Sequence, residues 1–189
     1  MSLAGLLPQP PYPWFTPVWE GFARQVEQDR LPHALLLVGQ DGVGTLDLAR
    51  AMAQFLLCVA PHPGRSCGQC RSCLLLQADS HPDLHWVVPE EGAQSIKIGQ
   101  IREMTDFTYN TAQQGGRKLI ILAPAEAMNA NAANALLKSL EEPSGNCVYL
   151  LVCEQPAFLV ATIRSRCSRV QIRTPDFSEA LQWLERNRV

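Results

Sequence analysis

Charge is scarce in this chain. Lysine, arginine, aspartate and glutamate make up 18% of the 189 residues and the net charge is -2, against roughly 25% charged residues in ordinary soluble domains. That balance excludes a protein that grips nucleic acid by a strongly basic surface of its own, since phosphate contacts need an excess of Lys and Arg. Long apolar runs are missing as well: none approaches the ~20 residues of a membrane span. The N-terminus has no basic segment followed by an apolar one, so no signal peptide is read there. No repeat or low-complexity segment is present beyond the proline-rich residues 1–12, read as a loose arm. Seven cysteines without a signal peptide point to a reducing, cytoplasmic setting and a metal, not to a disulfide framework.

A further absence is chemical. Gly39-Gln-Asp-Gly42-Val-Gly44-Thr45-Leu46 has the frame G-x-x-x-x-G-K-[ST] of a phosphate-binding loop, but Thr45 stands where the lysine belongs and Leu46 where the Mg²⁺-ligating hydroxyl belongs. Threonine has no charge, and leucine cannot bind a metal. An anion there would have only backbone amides and a helix N-terminus. The second acidic signature is missing too. After the strand Lys118–Leu122, nucleotide hydrolases of this class place an Asp that helps hold Mg²⁺ and a Glu that positions water; here Ala123 and Pro124 occupy those places. Glu126, two residues on, would point elsewhere. One lost motif is a sequence quirk; two independent losses predict a loop that holds no ATP.

What is there is ample apolar content, 47%, in an alternating order. A helix is predicted over residues 14–29, with Trp14, Val18, Phe22 and Val26 four apart. The strand Ala34–Val38 feeds the loop, and a helix follows at 47–57. A strand at 84–88, a helix at 98–107, a turn at 115–116 and the strand Lys118–Leu122 come next. Asn129 caps a helix running through 142, where Pro143 ends it. A strand at 147–152, a helix at 158–166 and a strand at 168–172 complete the pattern. Alternating strands and helices predict an α/β fold, a parallel sheet covered on both faces. Residues 13–174 are read as one such domain. The stretch 176–187 begins a further helix whose stripe (Phe177, Leu181, Leu184) cannot bury itself alone, so 175–189 is read as the truncated start of a second domain.

Cys67-Gly-Gln-Cys70-Arg-Ser-Cys73 sets three thiols at tight turn spacing inside an insert at 58–73, and Cys58 stands nine residues upstream. Four thiolates suit tetrahedral Zn²⁺, which with no open position would be structural. An iron–sulfur cluster is the rival, because C-x-x-C-x-x-C also occurs there; the upstream fourth cysteine and the lack of Cys-Pro favour zinc. Four unligated thiols are the bland reading. His62 is a possible substitute ligand, though a solvated loop histidine is the commoner state. A nucleic-acid-binding zinc module would lace the insert with basic and aromatic residues, and only Arg65 and Arg71 are basic there. Catalytic cysteines would need a metal-free thiolate beside a base. Ser165-Arg166-Cys167 follows the helical stretch. An arginine on an exposed turn is usually a solvated charge; the alternative is an arginine finger lent to a neighbour's γ-phosphate. Lys138 is read as an i, i+4 partner of Glu142, with a DNA phosphate contact as the other reading; Arg117 and Lys118 are weaker candidates for such a contact.

Together these residues resemble one family. Asn134-Ala-Leu-Leu-Lys-Ser-Leu-Glu-Glu-Pro143, a strand, then Ile163-Arg-Ser-Arg-Cys167 look like the AAA+ subunits of DNA clamp loaders. The cysteine spacing is similar to that of the bacterial replicative members, and Tyr12-Pro13-Trp14, His33-Ala-Leu-Leu and His81-Pro-Asp83 agree. The resemblance spans residue 13 to the end. It implies a P-loop NTPase-like fold and a five-subunit ring that uses ATP to close a sliding clamp around primed DNA, as part of the DNA polymerase III holoenzyme. The broken loop and missing acids point to the member that does not hydrolyse ATP, a stator beside the motor subunits (gamma/tau) and the delta subunit. Carried over, the zinc ligands are Cys58, Cys67, Cys70 and Cys73, and the finger is Arg166, flanked by Ser165 and Cys167. The degenerate loop (Gly39, Gly42, Gly44, Thr45, Leu46) is expected to hold no nucleotide, although Thr45 leaves weak binding open. Cys153 and Glu154 lie where motors place a Thr or Asn sensor, and neither is that type. A full lid and a C-terminal collar, expected in the family, are absent from this stretch. No polymerase chemistry is expected, because no carboxylate pair is placed for two-metal catalysis. An active AAA+ motor, the competing reading, would need the lysine, the hydroxyl and the acids that are missing.

Overall fold

The computed structural model describes Leu7, residues 9–114 and residues 116–187. Gly115, half of the expected turn at 115–116, and residues 1–6 and 8 of the expected arm lie outside the described residues. Five parallel strands form one sheet: β1 (Ala34–Val38), β2 (Leu84–Val87), β3 (Lys118–Leu122), β4 (Cys147–Cys153) and β5 (Ser168–Gln171), in the order β2-β3-β4-β1-β5. The three central strands are buried along their whole length, which is why their sequences are near-continuous apolar runs.

Strand geometry turns those runs into two cores, because successive side chains point to opposite faces. Leu35, Leu37, Leu119, Ile121, Leu150 and Val152 point to one face. There they meet α1 (Thr16–Glu27), α2 (Thr45–Leu57) and Leu76 of α3 (Arg71–Gln77). Leu36, Val38, Ile120, Leu122, Tyr149 and Leu151 point to the other face. That face is covered by α4 (Ile98–Tyr109), α5 (Ala130–Glu141) and α6 (Ala161–Arg164). Asn129 caps α5 as expected, its Oδ1 accepting the Ala132 N–H at 2.9 Å. The last helix, α7 (Phe177–Asn187), leaves Phe177, Leu181 and Leu184 exposed, while its Trp183 packs against the first core.

Four expectations change. The first helix is split: Pro13–Phe15 forms a 3-10 turn, and the buried face of α1 is Trp19, Phe22 and Ala23. A short helix, α3, starts inside the cysteine insert and runs past it; seven residues are too few to show a helical period. The helix expected at 158–166 shortens to α6, because Val160 takes an extended conformation (ψ 133) and Phe158 closes a turn onto Gln155 instead. The arm expected to be loose over 1–12 is anchored where it is described: Leu7 N–H donates to Gln54, the Gln9 amide to the Ala51 carbonyl, and Pro11 is buried.

Candidate functional site

The phosphate loop leaves β1 at the C-terminal edge of the sheet, where open parallel sheets bind ligands. Its backbone has the expected turn: Gly44 caps α2 in the left-handed region (φ 89). The space is taken by the chain itself. Thr45 is 3% exposed, and its hydroxyl is buried with no hydrogen-bond partner among the described residues. A Cβ on Gly39 would lie 2.2 Å from that hydroxyl, and one on Gly44 would lie 2.4 Å from the Tyr12 ring. Tyr12 stacks on Trp14 at 4.8 Å, Trp183 of α7 closes edge-on at 5.1 Å, and the Trp14 indole donates to the Val43 carbonyl at 3.0 Å. The Tyr12 hydroxyl donates to Asp47 at 2.7 Å, and its pKa is pushed up to about 12 by burial and by that carboxylate.

Two cavities flank the loop, and no Lys, Arg or His lines either. One, of about 350 Å³, lies between the loop and α7, among Tyr12, Trp14, Asp41 and Trp183. The other, of about 670 Å³, contains the positions where hydrolytic chemistry would sit: Leu46, Ala123, Pro124 and Glu154. Burial, then the charges of Asp41 and Glu126, raise the pKa of the Glu154 carboxyl. Glu126 itself is aimed at backbone, its Oε1 accepting the N–H groups of Glu154 and Gln155 at 2.9 and 2.8 Å. A polyphosphate would meet carboxylates and hydrocarbon there.

In the insert, Cys58, Cys67, Cys70 and Cys73 converge, their sulfurs all within 4.8 Å of one another. The separations are 3.5 Å for Cys58–Cys67, 3.9 Å for Cys58–Cys70 and 4.0 Å for Cys67–Cys73. Zn–S bonds of about 2.3 Å set tetrahedral sulfurs about 3.8 Å apart, so the tetrad fits a four-thiolate metal. It leaves no room for a cube of iron and sulfide. Backbone N–H groups of Gln69 and Cys70 lower the Cys67 thiol to about 6, while burial raises Cys58 and Cys73. His62 is exposed, paired with Arg65 in a tight turn, and outside the tetrad. The Trp19 indole donates to Gly64 at 2.8 Å and Ser66 N–H to Gln9 at 2.5 Å, tying the insert to α1 and the arm.

Arg166 lies at the other edge of the sheet. Because β1 and β5 run parallel, with Leu35 opposite Ser168 and Val38 opposite Gln171, residue 166 precedes the start of β5 while the loop follows the end of β1. The guanidinium cannot serve its own loop. It is part-exposed, its Nε donating to Glu141 at 2.7 Å and Nη1 to the Thr162 carbonyl at 2.9 Å. Lys138 makes no ion pair with Glu142 among the described residues; Glu141 instead serves Arg166.

Residues 15–176 match the family described as "DNA polymerase III, delta subunit". The chain belongs to that family. Over 93% of its length it is 46% identical to the DNA polymerase III subunit delta' of Pseudomonas aeruginosa, and over 92% it is 43% identical to that of Yersinia pestis. It covers 52% and 51% of those proteins, so it spans about half the length of the curated relatives it matches. In fold it is similar to a gamma subunit-related DNA polymerase III protein from Thermotoga maritima (TM-score 0.59, 24% identity, 89% of this chain and 54% of that one). The two proteins share this sheet and its covering helices as a fold.

Within this delta-subunit family member, His81-Pro-Asp83 has a structural task. His81 Nδ1 accepts the Asp83 N–H at 3.1 Å, so its Nε2–H faces Ser72 of α3, also at 3.1 Å. The Asp83 carboxylate accepts the N–H groups of Gln113 and Gln114 at 2.7 and 2.8 Å. Sequence reasoning missed Trp183 and Trp86, which shape the two cavities. The aromatic run Tyr12-Pro-Trp14 was the available signal for the first, since it needs a partner ring; Trp86 has no signal beyond its place on a strand.

Proposed function

We propose that this chain is the AAA+ part of a clamp-loader stator, a delta prime subunit that hydrolyses no ATP and lends Arg166 in trans to the ATP site of an adjoining motor subunit. The observation that carries this reading is the polarity of the sheet: a loop with no cation at one edge, a part-exposed arginine at the other. A subunit built this way takes part in hydrolysis only through a neighbour. An arginine supplied across an interface is worth roughly 10³–10⁵ in rate, because charge spreads over the γ-phosphoryl oxygens in the transition state. Hydrolysis is then gated by how the two subunits sit against each other.

In this reading Cys58, Cys67, Cys70 and Cys73 hold a structural Zn²⁺. Residues 13–174 form the nucleotide-binding-like domain, and α7 begins a lid that covers the exposed Phe177, Leu181 and Leu184. The partners are the gamma/tau motors and delta; the sliding clamp and primed DNA are met through the complex, in the cytoplasm. Two measurements test it. Calorimetric titration of the chain with Mg-ATP should give no heat; a Kd in the low micromolar range, about −7 to −8 kcal/mol, would overturn the dead loop. In a reconstituted loader, Arg166→Ala should slow the adjoining ATP site by roughly 10³-fold or more. The chain's Tm should stay within about 3 °C, since an exposed pair such as Arg166–Glu141 contributes at most about 1 kcal/mol. An unchanged hydrolysis rate would remove the finger.

A further inference from the structure

The cleft of about 670 Å³ beside the loop has a lining that is unusual for a nucleotide fold. The floor is hydrocarbon: Leu46, Val152 and the ring of Trp86. The rim carries Glu91, Glu154 and the exposed Val88, with no basic residue among the lining side chains. Two polar groups are unanswered. The Trp86 indole N–H is buried without an acceptor among the described residues. The Glu154 carboxylate has no hydrogen-bond donor or ion pair there, while burial and the nearby charges of Asp41 and Glu126 act against its ionised form. An apolar floor and an acidic rim together specify an occupant that brings hydrocarbon and a cation. A phosphate or a nucleic acid brings the wrong sign of charge, and a small apolar molecule leaves the acids unpaired.

We propose that this vacated nucleotide cleft is a protein-docking groove, which takes a segment of a neighbouring loader subunit carrying an apolar side chain next to a lysine or arginine. The apolar side chain lies on Leu46 and Val152, and the cation meets Glu154 and Glu91. The inference rests on the reading of the chain as a ring subunit. The edge of the domain that an active motor would give to ATP is here given to a protein contact, which adds a second anchoring face to the one around Arg166.

The test is photocrosslinking in a reconstituted loader that contains the full-length protein. Val88→p-benzoylphenylalanine probes the groove and Thr162→p-benzoylphenylalanine probes the Arg166 face. The expected result is a Val88 crosslink to one loader subunit, mapped by mass spectrometry to a peptide with a Lys or Arg beside an apolar residue. Adding Glu91→Lys and Glu154→Lys to the Val88 probe should lower that yield about tenfold, with the Thr162 crosslink unchanged. A loader in which Thr162 crosslinks and Val88 does not would overturn the groove while leaving the stator reading in place. A loader in which neither crosslinks would overturn both. Labelling of the groove peptides by 8-azido-ATP, or a Val88 crosslink to the DNA, would overturn the proposal in favour of a nucleotide or nucleic-acid site.

Discussion

The phosphate loop and the cysteine insert sit at the two ends of α2 and are built on opposite plans. At residues 39–46 the scaffold is complete: the glycines, the left-handed turn at Gly44 and the helix that follows are in place, while Thr45 and Leu46 stand where the lysine and the Mg²⁺-ligating hydroxyl of such a loop belong. In the insert the chemistry is complete: four sulfurs meet within 4.8 Å, but most of residues 59–71 is part-exposed or exposed and contributes little to the core. The loop is held by packing from Tyr12, Trp14 and Trp183. The insert has few buried apolar contacts, so in the proposed reading its order depends on what its sulfurs bind.

The strongest way to break that comparison is to take one ligand from the insert. Cys70→Ser should release bound zinc, which metal analysis of the purified chain should find at about one per chain before the change. The expected cost is about 3 kcal/mol or more, seen as a fall of roughly 6–12 °C in Tm. The sheet core should still melt cooperatively, because α1, α2 and the strands pack without the insert. A variant that keeps its Tm would mean the insert is self-supporting.

The reverse test strikes the loop's packing. Gly44→Ala puts a Cβ into the Tyr12 ring at a left-handed φ, and should cost about 2 kcal/mol from backbone strain and displaced ring together. Chemical denaturation measures it. A stability loss with no change in Mg-ATP binding is expected; a gain of ATP binding would mean that Tyr12 is a gate and not a filler.

The architecture was legible in the sequence because three central strands are buried on both faces and therefore read as apolar runs, and because Asn129 and Pro143 bracket α5 by simple cap and stop chemistry. The four cysteines were legible by spacing alone. What the sequence hid depends on pairs distant along the chain. Trp183 matters only because it meets Tyr12, more than 150 residues away in the chain. Glu154 is one more surface acid until the fold sets it near Asp41 and Glu126. The shortening of α6 at its start was hidden because φ/ψ at Val160, not residue type, keeps the helix from beginning before Ala161. Arg166 was named from its neighbours, but its place at the edge opposite the loop follows only from the parallel pairing of β1 and β5.

A smaller effect sharpens the picture of a loop that serves packing alone. Thr45 keeps a hydroxyl where a phosphate-binding loop has its lysine, and that hydroxyl is buried without a partner among the described residues. Thr45→Val keeps the shape and removes the unsatisfied group, whose desolvation costs about 1–3 kcal/mol. The expected gain is about 1 kcal/mol, or roughly 2–4 °C in Tm. A loss would show that the hydroxyl finds a hydrogen bond in solution.

The smallest effect separates the two regions by pH. Burial, opposed by Asp83, holds the pKa of His81 below 6.5 where it clasps α3 under the insert. Below pH 6.5 the unfolded chain therefore binds a proton that the folded chain refuses, and stability falls as the pH drops from 6.5 toward the folded value. Half-buried His85 acts in the same direction. Glu154, beside the loop, is shifted the other way: burial first, then Asp41 and Glu126, raise it above 4.5. The folded chain there keeps a proton that the unfolded chain has lost, so stability falls as the pH rises above 4.5 toward the folded value. Acid thus loosens the support of the insert while it relieves the cleft beside the loop. Urea unfolding between pH 4.5 and 7 reads both. His81→Asn should flatten the slope just below pH 6.5, and Glu154→Gln the opposing slope just above pH 4.5. If both variants change the same limb with the same sign, the two ends of α2 are not electrostatically independent, and the contrast between a packed loop and a ligand-dependent insert would have to be redrawn around that coupling.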